Sequence, residues 1–213
     1  MKKAILFDLD NTLMDTVGYG EQIFGTLFRL IAADGGYSGD LQSIKDVVVR
    51  KPFQWISEKF QFSDQLHNAG LQLLRHLSVP FKMAPFPGYD LVKALPLDKL
   101  LVTTGFTHLQ QSKIDSLGIG DDFKKIDIVD PDREKRTKKD AFATILKEYN
   151  FQLEDVLVVG DDVDAEIKAA HELGIDSLLF DARMTGPALE NKVHSLAEVV
   201  HFIRFSNNGA QGG

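Results

Sequence analysis

Short apolar runs recur along the chain, separated mostly by stretches of helical length and period. Ala4-Ile5-Leu6-Phe7 is wholly apolar and is followed at once by polar turn residues, the pattern of a strand covered on both faces. Runs of the same kind return at Leu100-Leu101-Val102, Ile126 to Val129, Val156 to Val159 and Ser177 to Phe180. Alternation of such strands with helices predicts an α/β fold: a doubly wound, Rossmann-like parallel sheet with helices on both faces.

Punctuation supports the helices. Thr107 reads as the cap of a helix running through Ile114 and Leu117 to Gly118, and Thr137 to Asn150 and Val163 to Gly174 read the same way. Ser195 with Glu198 forms a capping box ahead of Val199, Val200 and Ile203, which predicts a last helix that closes the core. From about Asp15 to Met83 the helical pattern continues without a strand, so a smaller all-helical unit, residues 15–83, is inserted into a core made of 1–14 and 84–205. Pro80, Pro85 and Pro87 stiffen the return path, and Gly35, Gly36 and Gly39 mark a loop between two inserted helices. Residues 206–213, rich in Gly, Asn and Gln, are expected to be a flexible tail.

Composition acts mainly by exclusion. The 44% apolar and 26% charged content over 213 residues belongs to a folded globule with a sizeable core, not to a disordered or fibrous chain. A net charge of −7 without a long basic run lacks the electrostatic footprint of a nucleic-acid binder. The absence of cysteine removes disulfides, thiolate nucleophiles and zinc–thiolate sites together, so chemistry must rest on oxygens and nitrogens. The opening apolar stretch is broken by Asp8 and Asp10 well short of a signal-peptide core, and no segment is apolar enough to span a bilayer. A cytoplasmic protein without membrane or nucleic-acid partners, monomeric or weakly homodimeric, is expected.

The candidate chemistry sits where strands end. Asp8 and Asp10 follow directly on the first strand, and alternation puts both carboxylates on one side. The carboxyl ends of strands in an open parallel sheet are where ligands bind; the plain alternative is a solvated loop bearing two acids. Asp161 and Asp162 repeat the arrangement after Val156–Val159, where the plain alternative is a pair of acids favoured by a helix dipole. Carboxylates converging on one crevice repel one another unless a cation sits among them, and Mg²⁺ is the preferred hard divalent ion for oxygen ligands. Thr103, with Thr104 and Gly105 behind it, ends the second strand and could offer donors to an anion. The run Arg133-Glu134-Lys135-Arg136-Thr137-Lys138-Lys139 could supply a cation, most of it being solvated surface. Arg50 and Lys51 could meet an anionic substrate, although a basic pair beside Pro52 reads first as plain surface; Trp55, His67 and His76 read as packing or surface residues.

In the order FDLDNT, VTTG, a basic helix start and VVGDD, the chain resembles the haloacid dehalogenase superfamily over almost its whole length. The insert before PGYDLVKAL is similar to the helical cap of the group that includes phosphoglycolate phosphatase-like enzymes. The resemblance implies a Mg²⁺-dependent phosphatase acting on a small phosphorylated metabolite. Asp8 would attack phosphorus and form an aspartyl-phosphate. Asp10 would protonate the leaving oxygen and later activate water, a role calling for a pKa shifted toward neutrality. Asp8, the Asp10 carbonyl oxygen and Asp161 would hold the metal, while Thr103, Thr104 and a basic residue would neutralise phosphoryl oxygens. For that residue, spacing before Phe142 points to Arg136 and a Lys-x-x-Ala-apolar pattern to Lys138; Lys135 stays open, and Lys138 is the expectation. Glu166 stands where the family commonly has a second Asp, so Glu166 and Asp162 are candidates for an outer metal shell. A phosphomutase, a haloacid dehalogenase and a non-catalytic relative are the alternative readings, the last weakened by the presence of both Asp8 and Asp10.

Overall fold

Among the described residues six strands form one parallel sheet: β1 (Ala4–Phe7), β2 (Asp98–Thr104), β3 (Lys125–Val129), β4 (Val156–Gly160), β5 (Asp176–Phe180) and β6 (Lys192–Val193), in the order β3-β2-β1-β4-β5-β6. The computed structural model of the chain describes residues 1–208. β1 lies between β2 and β4, with Leu6 opposite both Leu100 and Val158. The strand order reverses beside β1, so the crevice between the ends of β1 and β4 is the switch point at which doubly wound sheets bind ligands.

Period-two alternation distributes β1 between two layers. Ala4 and Leu6 pack with Leu100, Val102 and Val158 against Phe142 and Ile145 of α7 (Lys138–Tyr149) and Ala170 of α8 (Lys168–Leu173). Ile5 and Phe7 face the other side, toward α5 (Tyr89–Lys93), α6 (Thr107–Leu117) and α9 (Leu196–Asn208). That second apolar layer runs on without a break into the four inserted helices α1 (Gly20–Asp34), α2 (Leu41–Val48), α3 (Phe53–Lys59) and α4 (Asp64–His76). No strand occurs among the described residues between β1 and α5, as the pattern predicts.

Helix ends follow the expected punctuation with two exceptions. Gly118, Gly174 and Asn150 all take left-handed backbone conformations after their helices, and Thr137 forms a capping box with Asp140. Thr107, read as a cap, is instead the first residue of α6. Its N–H and hydroxyl both donate to the Asp130 carboxylate, at 2.8 and 2.7 Å, so an acid from the end of β3 satisfies the helix start. The stretch from Val163 does not begin as a regular α-helix: Val163–Ile167 form a widened, π-type turn before α8. β6 was not foreseen, because two residues carry no alternation to detect. Of the segment expected to be a flexible tail, residues 206–208 continue α9 and residues 209–213 lie outside the described residues. No helix among the described residues is long and apolar enough to cross a membrane.

The layer under α7 is held by large, fully enclosed side chains, and Phe142 is 1% exposed. Phe142→Ala is expected to destabilise the chain by about 3–5 kcal/mol, read as a lowered denaturant midpoint; a change within error would mean this layer does not anchor α7.

Candidate active site

At the end of β1 the Asp8 N–H still donates to Val159 O at 3.0 Å, so Asp8 leaves the sheet in register with β4. The chain then turns sharply: Asn11 adopts φ 55°, and the N–H groups of Leu13 and Met14 both reach back to Leu9 O. Asparagine tolerates this left-handed conformation better than most residues. The Asn11 side chain accepts from Val17 N and donates to Val49 O, both at 3.1 Å, so the turn that presents Asp8 is tied to the inserted helices.

Lys138, the first residue of α7, projects into the end of the sheet and is 7% exposed. Its ammonium donates to Asp8 Oδ1 at 2.5 Å and also to Glu166 Oε1. The other Glu166 oxygen accepts from Asp162 N at 3.0 Å. The π-type turn brings Glu166 inward at this point, over Gly160, where an added Cβ would lie 2.5 Å from Glu166 Cγ. One carboxylate oxygen each from Asp8, Asp161 and Glu166 lie within 4.8 Å of one another.

This cluster is not balanced by its own chain. Three carboxylates share one buried ammonium, and Arg50 reaches Asp161 only at 3.6 Å. Burial pushes the Asp8 carboxyl up to about 7; Lys138 pulls the other way, while Glu166 and Asp10 add to the rise. Burial, then the charges of Asp8 and Glu166, push Asp161 up to about 8 against the pull of Lys138 and Arg50. The Lys138 ammonium is itself held above its usual range: burial would lower it, but the two carboxylates outweigh burial. Three convergent carboxylate oxygens with surplus negative charge fit a hard divalent ion such as Mg²⁺. Glu166, expected at most in an outer shell, belongs to the convergent group. Asp162 does not, because its side chain receives Lys51 Nζ at 2.5 Å and Asp164 N at 2.9 Å.

Asp10 departs from expectation in its electrostatics. Lys113 Nζ donates to one of its oxygens at 2.7 Å, Thr16 Oγ1 to the same oxygen at 2.5 Å, and Gln110 Nε2 to the other at 2.8 Å. Burial would raise this carboxyl, but the Lys113 charge and the three hydrogen bonds prevail and hold it below the ordinary range, not shifted toward neutrality. Thr103 is fully buried, and its oxygen accepts from Gln110 Nε2 at 2.6 Å. Thr104, rather than Thr103, lines the cavity over Asp8. Of the three basic candidates only Lys138 reaches the site. Arg136 forms a two-pronged pair with Asp127 at 2.6 and 2.7 Å, and Lys135 is exposed.

Several functional neighbours escaped the sequence reading. Lys113 and Gln110 lie on the buried face of α6 with Leu109 and Leu117, and a lysine on the inward stripe of a helix was the available signal. Arg50 and Lys51 are not plain surface: they lean from the inserted helices onto Asp161 and Asp162. His67 is a packing residue as expected, hydrogen-bonded to Ser57 and stacked on Phe53.

Residues 2–174 match the family model described as haloacid dehalogenase-like hydrolase. The chain is 25% identical over 126 residues to the HAD-hydrolase YfnB of Bacillus subtilis, covering 56% of this chain and 54% of the relative. It is 25% identical over 194 residues to the glyceraldehyde 3-phosphate phosphatase of Pyrococcus abyssi, covering 84% and 82%. The match to the Bacillus relative thus spans about half of that protein's length. Among solved structures, the magnesium-bound YfnB crystal structure superposes with a TM-score of 0.65 at 19% identity over 95% of this chain and 99% of that one. A haloacid dehalogenase-like protein of Streptococcus pneumoniae gives 0.74 at 21% identity over 95% and 98%.

Because Gly160 leaves room for Glu166, Gly160→Ala is expected to cost about 1–3 kcal/mol in urea unfolding, by forcing the acid off its ammonium partner. A neutral or stabilising result would show that Glu166 can retract freely.

Proposed function

This chain belongs to the haloacid dehalogenase-like hydrolase family, and we propose that it is a phosphatase that cleaves a small phosphomonoester with Asp8 as nucleophile and Mg²⁺ as cofactor. The observation that carries this reading is the Asp8–Lys138–Glu166–Asp161 cluster at the end of β1 and β4, with Asp10 alongside. The name of the Pyrococcus abyssi relative, a glyceraldehyde 3-phosphate phosphatase, supports the phosphoester class, and the magnesium in the YfnB crystal structure supports the metal.

In this mechanism an Asp8 oxygen attacks phosphorus, the ester P–O bond breaks, and an aspartyl-phosphate forms. Asp10 gives its proton to the departing alkoxide, which leaves as the alcohol. In the second displacement Asp10 takes a proton from water, the water oxygen attacks the same phosphorus, and Asp8 is regenerated as inorganic phosphate departs. Asp10, held ionised by Lys113 and its hydrogen bonds, is free to accept the proton of that second step. A dianionic phosphoryl group arriving beside it favours the protonated form needed in the first. A Mg²⁺ held by Asp8, Asp161, Glu166 and the Asp10 carbonyl would neutralise phosphoryl charge and keep Asp8 ionised. Lys138 and the Thr103 hydroxyl stabilise the remaining phosphoryl oxygens as charge shifts, with Thr104 beside them.

The inserted unit, residues 15–83, acts as a cap. It reaches the core through Lys51 on Asp162, Arg50 on Asp161 and a two-pronged Arg75–Asp132 pair at 2.7 Å. Closure of this kind excludes water from the reacting centre. A dehalogenase would need neither the proton on Asp10 nor the acidic cluster.

Asp8→Asn is expected to abolish hydrolysis of a phosphate-ester panel while leaving circular dichroism and melting intact. Lys138→Ala should lower kcat by about 10²-fold or more, whereas Arg136→Ala should act on stability alone. Turnover by Asp8→Asn would remove the nucleophile assignment.

A further inference from the structure

The cavity over Asp8 has a volume of about 150 Å³ and two unlike walls. Its floor is the charged cluster. Its roof is apolar: Phe24 and Leu27 of α1, Val48 of α2, Phe53 of α3, Leu74 of α4 and Leu109 of α6 all line it, and none exceeds 7% exposure. An empty, dry apolar cavity of about this size is known to accept a benzene-sized guest. Here the phosphoryl group takes part of the space.

The charges lining the cavity leave nothing to spare. Five carboxylates, Asp8, Asp10, Asp161, Asp162 and Glu166, face four cations, Arg50, Lys51, Lys113 and Lys138. Every one of those cations is already within ion-pair distance of one of those acids. A divalent metal brings the lining to one net positive charge, against the two negative charges of a phosphomonoester. A second phosphate or a carboxylate on the substrate would therefore enter the cavity with no counter-charge of its own, which is unfavourable. The neutral polar side chain Gln54 also lines the cavity and makes no hydrogen bond among the described residues, so it is open to one hydroxyl or carbonyl.

We propose that the substrate is a monophosphate ester whose leaving group is small, uncharged and mainly apolar, a short alkyl or single-ring alcohol carrying at most one hydrogen-bonding group, seated against Val48 and Leu109. Substrates bearing a second phosphate or a carboxylate are excluded. The inference rests on the phosphatase reading and adds the identity of its leaving group.

The test has an activity arm and a binding arm. With Mg²⁺ present, kcat/KM is measured for benzyl phosphate, n-butyl phosphate, methyl phosphate, 3-phosphoglycerate and fructose 1,6-bisphosphate, alcohols rather than phenols, so that leaving-group reactivity does not set the order. Benzyl and butyl esters should exceed 3-phosphoglycerate and the bisphosphate by about 100-fold. Val48→Thr, which puts a hydroxyl in the apolar wall at nearly constant volume, should raise KM for the benzyl ester about tenfold and KM for methyl phosphate by a clearly smaller factor; an equal rise for both would count against the proposal. Calorimetry should show benzylphosphonate binding more tightly than phosphonoacetate. Equal or better turnover of the anionic esters, or tighter binding of phosphonoacetate, overturns the proposal and leaves the phosphatase intact. If no ester is cleaved the phosphatase reading falls, and the order of phosphonate binding still decides what the cavity prefers.

Discussion

A single buried ammonium, that of Lys138, stands between two carboxylates, Asp8 and Glu166, with a third, Asp161, within reach. An ion cluster of this kind is unfavourable to bury, and losing one partner from it is more unfavourable still. The rest of the fold can be read as the means of holding it. β1 and β4 end side by side at the reversal of the strand order, which delivers Asp8 and Asp161 to one crevice. α7 starts at Lys138, locked by the Thr137–Asp140 capping box, and the π-type turn after β4 swings Glu166 inward over Gly160. The surplus negative charge that remains is the physical basis for the proposed dication.

Asp10 sits in the opposite electrostatic setting a few residues away. Asp8 and Asp161 have too little positive charge around them, whereas Asp10 has Lys113, Thr16 and Gln110 directed at it. Two kinds of carboxylate environment on one turn are what the proposed mechanism needs to separate a metal-assisted nucleophile from a proton carrier. The inserted helices complete the site from above, with a basic pair on the core's acids and an apolar wall over the reacting group. These ion pairs are partly solvent-screened, and each is worth only on the order of 1 kcal/mol, so they hold the inserted unit on the core without locking it.

Much of this was legible in the sequence because it depends on local signals. β1 and β4, buried along their whole length, leave continuous apolar runs, and β2, β3 and β5 leave shorter apolar stretches at their buried ends, so these five strands were readable; β6, two residues long, leaves none. Asp8, Asp10 and Asp161 were visible because charge at the end of such a run is anomalous. Lys138 was preferred over Arg136 on spacing; its ammonium lies on Asp8, whereas Arg136 pairs with Asp127. What stayed hidden depends on tertiary approach. Nothing local to Glu166 tells that a widened turn aims it at Lys138. Arg50 and Lys51 look like surface until the inserted helices are folded down onto β4. The depressed pKa of Asp10 comes from Lys113, a hundred and three residues along the chain.

The central claim is that the carboxylates of Asp8, Asp161 and Glu166 coexist because a divalent cation is bound among them. Calorimetric titration of the metal-free chain with Mg²⁺ tests it most directly. One ion per chain is predicted, with affinity weakened about tenfold or more by Asp161→Asn and retained by Asp162→Asn, whose side chain faces Lys51 instead. Absence of Mg²⁺ binding, or equal affinity in Asp161→Asn, would contradict the account.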